Sequence, residues 1–201
     1  MHMRISKNAY LSSNWRIQEI ASDFRVEDVW ELPTPGGPDE FPRLVQEISS
    51  GGDSRQFSRS FRVLFTIRWA IGTLLGWDKP DTGIGVRVRS LRDRLPDDLR
   101  AGPRGPDLHG KPFRSVYLTE REWASELANR TVHTVMHIVW VPNGRGKYTG
   151  QMAVLVKPNG LFGRLYMIAI LPFRYLGVYR SLISVIGRRW QHSEKERGAS
   201  Y

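Results

Sequence analysis

Alternating apolar and polar residues predict several β-strands along this chain. Residues 25–32 place Val26, Trp30 and Leu32 on one side and charged residues on the other, as a half-buried strand does. Four strand patterns follow one another closely in the second half, and the residues between the last two, Pro-Asn-Gly-Arg-Gly-Lys, are typical of a hairpin connection. The four patterns cover residues 113–118, 120–127, 131–141 and 148–157. This half of the chain is therefore predicted to form antiparallel strands.

Helical spacing of apolar residues appears both before and after these strands. A short helix is predicted over residues 41–48 and a second one over residues 59–77. A long C-terminal helix is predicted from residue 161 to about residue 190, where Pro172 should kink or interrupt it. The order of strand, two short helices, antiparallel strands and long helix predicts an α+β fold.

The length of the chain, 201 residues, suits a single domain with a substantial core. Residues 1–14 are expected to be a loose N-terminal arm, residues 15–191 a single domain, and residues 192–201 a C-terminal tail. Residues 83–112 are rich in proline and glycine, and a loop of that length is expected to be functional or flexible.

Composition excludes several classes of site. The chain has no cysteine, which excludes disulfides, thiolate nucleophiles and cysteine-ligated metal sites. No signal-peptide pattern is visible, and no segment supplies the roughly 20 predominantly apolar residues that a membrane span needs. A cytoplasmic location is expected.

The formal net charge of +10 makes binding to nucleic acid or anionic lipid conceivable. However, acidic residues interrupt both of the dense basic stretches, at residues 87–104 and 188–197. Mixed runs of this kind are typical of a solvated surface. No nucleic-acid partner is therefore expected.

The register of the last hairpin decides which way its histidines point. If Val141 pairs with Tyr148, one face of the hairpin combines valines, Met152 and Tyr148, with His133 and His137 as its strongly polar groups. A shift of one residue would mix polar side chains into this apolar face, and register is normally set by such segregation. Both histidines are therefore expected to point toward the interior.

Spacing argues against a metal ion shared by the two histidines. In a strand, His133 and His137 have Cα atoms roughly 13 Å apart, too far for one ion to bridge easily. They are either interior histidines hydrogen-bonded to neighbours or polar groups in an apolar pocket, where one could act as a base. No metal and no cofactor are expected.

The acidic residues offer weaker candidates. Asp28 beside Trp30 is either an acid with a raised pKa or an edge charge next to a core anchor. Thr119 and Glu122 match a capping box, although the strand pattern that follows makes a local turn the better interpretation. Glu122 and Glu126 are expected on an exposed strand face. The phosphate-loop, nucleophile-elbow and metalloprotease motifs are absent, so the sequence shows no evident catalytic set.

Four segments carry a family resemblance: SLRDRLP at residues 90–96, NRTVH at 129–133, MAVLVKPNG at 152–160 and GRLYMIAILPFRYLGVY at 163–179. They resemble a bacterial family of unknown function grouped with the START-like, polyketide-cyclase-like (SRPBCC) superfamily. The resemblance runs from about Trp30 to Trp190 and implies a helix-grip fold, in which a curved antiparallel sheet surrounds a long C-terminal helix. Superfamily members typically bind hydrophobic small molecules, and some catalyse cyclisation, dehydration or isomerisation.

Three functions follow, in order of preference. The first is binding of a hydrophobic small molecule in an internal cavity. The second is a cyclase-like enzyme with His133 or His137 as base and Tyr166 or Arg174 orienting a carbonyl. The third is a peripheral membrane or partner-binding protein that uses the basic surface. The residues expected to contact a ligand are Trp30, His133, His137, Tyr148, Met152, Tyr166 and Arg174. Ligand identity and oligomeric state stay open.

Overall fold

The computed structural model is an α+β fold with a curved sheet of five antiparallel strands and a C-terminal helix. The structure describes residues 3–51, 84, 88–129, 131–144, 146–160 and 179–198. The strands are β1 (Arg25–Glu31), β2 (Arg114–Leu118), β3 (Glu122–Ala128), β4 (Val132–Pro142) and β5 (Tyr148–Pro158). Their order in the sheet is β1-β5-β4-β3-β2. The five predicted strands are confirmed, with ends that differ by one or two residues.

Helices lie on both sides of this sheet. They are α1 (Lys7–Leu11), α2 (Arg16–Ile20), α3 (Phe41–Ser49), α4 (Asp97–Ala101) and α5 (Tyr179–Gly198), with 3-10 turns at Pro38–Glu40 and Leu91–Arg94. The predicted short helix after the first strand is confirmed by α3. The C-terminal helix is confirmed from Tyr179 and extends beyond the predicted end. The predicted helix over residues 59–77 and the kink at Pro172 lie outside the described residues. No helix in the described ranges is long and apolar enough to cross a membrane.

One face of the sheet, which we call the helix face, packs against α3 and α5. The Trp140 ring lies 5.9 Å from that of Trp190 in α5 and 6.4 Å from that of Phe41 in α3. Each indole N–H has a backbone acceptor, because Trp140 donates to the carbonyl of Gly37 and Trp190 to that of Pro35. This aromatic cluster is a filled part of the core.

The opposite face is covered by what we call the N-terminal layer, residues 3–24, and by residues 91–101. Apolar side chains of α1, α2 and the segment after Ser90 pack on small and branched residues of the sheet. The cluster includes Tyr10, Ile17, Ile20, Leu91, Leu95 and Leu99 against Val29, Val135, Ala153 and Leu155. The expectation of a loose arm over residues 1–14 is wrong for α1, because Tyr10 is only 2% exposed.

The predicted register of the last hairpin is wrong by one residue. Pro142, not Val141, lies opposite Tyr148, and His137 lies opposite Ala153. The histidines therefore share a face with Ala153 and other residues under the N-terminal layer, whereas Met152 points to the helix face. The apolar pattern could not discriminate between the registers, because both faces of the hairpin are buried and each carries valines.

Candidate functional site

His137 is the centre of a buried hydrogen-bond network between the sheet and the N-terminal layer. Its Nδ1 atom lies 2.6 Å from the hydroxyl oxygen of Tyr10 in α1, and its Nε2 atom lies 3.1 Å from Oε2 of Glu122. The same carboxylate oxygen accepts hydrogen bonds from the Tyr117 hydroxyl at 2.9 Å and from the backbone N–H of Arg16 at 3.0 Å. Arg16 is the first residue of α2, so Glu122 satisfies an N–H that the helix itself leaves unpaired.

The hydrogen-bond pattern assigns a protonation state to each member of this network. Burial lowers the pKa of His137 by more than the adjacent Glu122 raises it, so the imidazole is neutral at pH 7. Burial alone would raise the pKa of Glu122, but hydrogen bonds from His137, Tyr117 and Arg16 outweigh it and leave the pKa below its usual value. The neutral ring therefore donates from Nε2 to the carboxylate, and Nδ1 accepts from Tyr10.

Both tyrosines remain neutral donors under the same conditions. Burial, followed by the charge of Glu122, raises the pKa of Tyr10 and of Tyr117 well above its ordinary value. The resulting chain runs from the Tyr10 hydroxyl through the His137 imidazole to the Glu122 carboxylate. Its order resembles that of catalytic triads, but the hydroxyl at its end is buried and belongs to the covering layer.

A second histidine and carboxylate form a parallel arrangement on the same face. His133 Nε2 lies 2.8 Å from Oε2 of Glu126, and the Phe24 ring packs edge-on against the imidazole at 4.9 Å between centroids. Glu126 also accepts hydrogen bonds from the Ser90 hydroxyl at 2.5 Å and from the Leu91 N–H at 3.0 Å. Burial raises the pKa of Glu126, but these hydrogen bonds outweigh it and lower the pKa overall.

The two pairs share one construction. Each carboxylate receives a histidine from the neighbouring strand and accepts the N–H that begins a helical segment of the opposing layer. Antiparallel pairing of Ala124 with His137 places Glu122 diagonally across from that ring, and four-residue spacing on both strands repeats the contact for the second pair. The expectation that Glu122 and Glu126 are exposed is wrong, because they are only 7% and 1% exposed.

The structure thus confirms that both histidines point to the interior and that each is hydrogen-bonded to a neighbour. It also shows what the sequence analysis missed, which is the pairing with Glu122 and Glu126 and the contribution of Tyr10. The signal was present in the matching four-residue spacings of glutamates on one strand and histidines on the next. No group of three or more metal-ligating side chains occurs in the part of the chain that the structure describes.

The remaining residues of the predicted ligand set lie on the helix face or outside the described residues. Trp30 lies opposite Met152 in the sheet, and both are buried in the aromatic cluster. Tyr148 is half-buried and stacks on Trp140 with ring centroids 6.3 Å apart. Tyr166 and Arg174 lie outside the described residues. The predicted set is therefore divided by the sheet, with the histidines on one side and these three residues on the other.

Another part of the helix face, which we call the valine patch, lies beyond the aromatic cluster. Val132 and Val156 form a separate cluster with the half-buried Val154, and in the described ranges no other residue joins it. The patch also includes the neighbours Leu127, Thr134 and Ser125, which point to the same face, and it adjoins Met136 of the aromatic cluster and the buried Asp28 opposite Val154. Leu127 and Thr134 are half-buried, which leaves apolar surface of the patch accessible.

Ser125 is the unusual member of the valine patch. It lies opposite Met136 and is completely buried, yet its hydroxyl has no hydrogen-bond partner within the part of the chain that is described. Its other cross-strand neighbour, Ser115, already accepts from the Trp123 indole and donates to the Arg104 carbonyl. An unpaired buried hydroxyl is destabilising by about 1–3 kcal/mol.

A family model described as a protein of unknown function (DUF2867) matches residues 20–181. No curated protein and no solved structure matches the chain. The matched span includes all five strands, both pairs of histidine and glutamate, and the valine patch. Tyr10 and Arg16, which connect the N-terminal layer to His137 and Glu122, precede it.

Proposed function

We propose, for a chain that belongs to the DUF2867 family of proteins of unknown function, that it binds a hydrophobic small molecule in an internal cavity on the helix face of the sheet. The curved antiparallel sheet and C-terminal helix are compatible with the helix-grip, START-like fold that the sequence resembles, and that fold is part of the proposal. The valine patch would form one wall of the site.

The observation that carries this proposal is the buried, unpaired hydroxyl of Ser125 within an apolar surface. Ligand sites are typically lined by apolar side chains, with a few polar groups that fix the orientation of the ligand. Half-buried Val154, Leu127 and Thr134 supply accessible apolar surface around Ser125. A ligand carbonyl or hydroxyl would give Ser125 the partner that the described residues do not provide.

The other predicted contact residues have different places in this proposal. Trp30 and Met152 border the patch, because they occupy the next inward-facing positions beyond Asp28 and Val154 on their strands. Tyr166 and Arg174 remain proposed contacts. His133 and His137 face the other side of the sheet and contact carboxylates. We therefore propose that they help to hold the N-terminal layer on the sheet. The enzyme alternative, with either histidine as base, gains no support from this geometry.

Two substitutions test the site with Nile red, a neutral apolar dye that carries a carbonyl group. Ser125→Ala should weaken dye binding by about 2- to 13-fold, the value of one hydrogen bond, while the dye-free protein keeps or gains stability. Val154→Trp should abolish binding by filling the patch. Ser22→Ala, an exposed serine, is the matched control.

Fluorescence titration gives the dissociation constants, and native mass spectrometry of freshly purified protein shows whether a ligand has been retained. Dye binding that is unchanged in both patch variants would place the site elsewhere. A Ser125→Ala variant that is less stable without ligand would show that the hydroxyl already has a partner.

A further inference from the structure

We propose that the Tyr10–His137–Glu122 network is an acid-sensitive latch, which holds the N-terminal layer on the sheet near neutral pH and releases it as the pH falls. This device is independent of ligand binding on the helix face. It rests on the convergence of two helices and three strands on one buried pair, the His137 imidazole and the Glu122 carboxylate.

The N-terminal layer depends on this point of attachment. Helices α1 and α2 have five residues each, far fewer than the roughly 12–15 residues at which isolated helices become even marginally stable. Tyr10 of α1 hydrogen-bonds to His137, and the first N–H of α2 hydrogen-bonds to Glu122. Both helices are therefore attached to the same pair of side chains. Asn14, with a φ of 48°, lies between the helices in a left-handed conformation.

Protonation of the imidazole conflicts with the closed arrangement. In the neutral ring, Nδ1 is the acceptor for the Tyr10 hydroxyl, 2.6 Å away. A proton added at Nδ1 makes that atom a donor, so the Tyr10 hydroxyl must turn and its hydrogen loses its acceptor in a buried site. When the layer opens, the ring enters water and accepts the proton without this conflict.

The difference between the pKa of His137 in the closed form and in the open form determines how the opening constant changes with pH. The pKa of His137 is lowered in the closed form by burial, which exceeds the opposing influence of Glu122. A group with a lowered pKa stabilises the closed form above its ordinary pKa, about 6.5, and that stabilisation is lost as the pH falls toward the lowered value. One proton changes the opening constant by at most about tenfold per pH unit.

The other ionisable groups around the ring keep their charges in this range. Glu122, from β3, has a lowered pKa and stays ionised, whereas Tyr10 and Tyr117 have raised pKa values and stay neutral. The Arg16 guanidinium of α2 pairs with Glu19 at 3.1 Å and with Asp98 of α4 at 2.7 Å. The hydrogen bond from Arg16 lowers the pKa of Asp98.

His133 is the second imidazole under this layer, where it contacts Phe24 and Glu126. A variant of His137 that retains His133 therefore isolates the contribution of the His137 imidazole. His137→Gln keeps a side chain that can hydrogen-bond but removes the titration. His109→Gln is the matched control, because His109 is exposed.

The experiment is hydrogen–deuterium exchange of the full chain at pH 7.5, 6.5 and 5.5, corrected for the intrinsic rates. In the wild type, the opening constant of residues 7–20 should rise between about three- and sixfold from pH 6.5 to 5.5, while β4 and β5 stay protected. The His109→Gln control should behave identically. In His137→Gln the rise should fall below about twofold.

Tyr10→Phe tests the latch even if His137→Gln does not fold. It removes only the hydroxyl and should raise the opening constant of residues 7–20 by about 2- to 13-fold at pH 7.5, the equivalent of one hydrogen bond. A flat wild-type response below pH 6.5 would overturn the proposal. So would an unchanged acid response in His137→Gln, or an opening constant in Tyr10→Phe equal to that of the wild type.

Discussion

Glu122→Gln is the substitution that most directly perturbs the buried network. The carboxylate accepts hydrogen bonds from His137, Tyr117 and the Arg16 N–H, with all three donors within 3.1 Å of Oε2. Glutamine is nearly the same size but has one oxygen and one NH2 group. If its oxygen takes the Oε2 position, the NH2 group takes the Oε1 position, only 3.3 Å from the Arg16 nitrogen, so two donors face each other.

The magnitude follows from the value of charged hydrogen bonds. A hydrogen bond to a charged group contributes about 1.5–3 kcal/mol, and Glu122 accepts three of them. Because glutamine retains one acceptor, we expect the free energy of unfolding to fall by about 2–4 kcal/mol. For a chain of this size, that corresponds to a Tm lower by about 5–12 °C.

Urea denaturation followed by tryptophan fluorescence measures this loss, and thermal scans by circular dichroism give the Tm. Glu120→Gln is the control, because this neighbouring glutamate is exposed and its substitution should change stability by less than about 0.5 kcal/mol. If Glu122→Gln were as stable as Glu120→Gln, the carboxylate would not be the acceptor that joins the sheet to α2, and the proposed anchoring would be refuted.

Three further outcomes are expected. The free energy of unfolding should fall as the pH drops below 6.5, because the pKa of His137 is lowered in the folded state. It should fall further below about pH 4.5, because the pKa of Glu122 is also lowered in the folded state. Urea denaturation at pH 7.5, 5.5 and 4 measures both losses. Trp190→Ala should lower the free energy of unfolding by about 3–5 kcal/mol, since the ring is completely buried against Trp140 and α3. Gly105→Ala should lower the Tm measurably, because φ is +84° and a Cβ would lie 2.9 Å from the Ser115 hydroxyl.

The strands could be predicted from sequence because their signals are local. The glycine-rich connection at residues 142–147 and the alternation around it specify a hairpin whatever the rest of the chain does. The pairing register of β4 and β5 has no local signal of this kind. Both faces of β4 and β5 are covered, and the second cover comes from N-terminal helices too short to show a periodic pattern, so the valines could not indicate one core side.

The candidate sites were harder to predict for a related reason. Glutamates are rarely buried unless paired, so Glu122 and Glu126 looked exposed, and their partners lie on another strand and on distant helices. The burial of His133 and His137 was predicted correctly even though the assumed pairing was wrong. Ser125 has no sequence signal, because its significance depends on which neighbours already have partners.

The 15N chemical shifts of the imidazoles in histidine-labelled protein at pH 7.5 determine the tautomer of His137 and thereby test the hydrogen-bond pattern of the buried network. His137→Gln assigns the signals. We predict a neutral ring with the proton on Nε2, an unprotonated Nδ1 that accepts from Tyr10, and a pKa below 6.5. A ring protonated at Nδ1 in its neutral form, or one that titrates near pH 6.5 as in water, would contradict it.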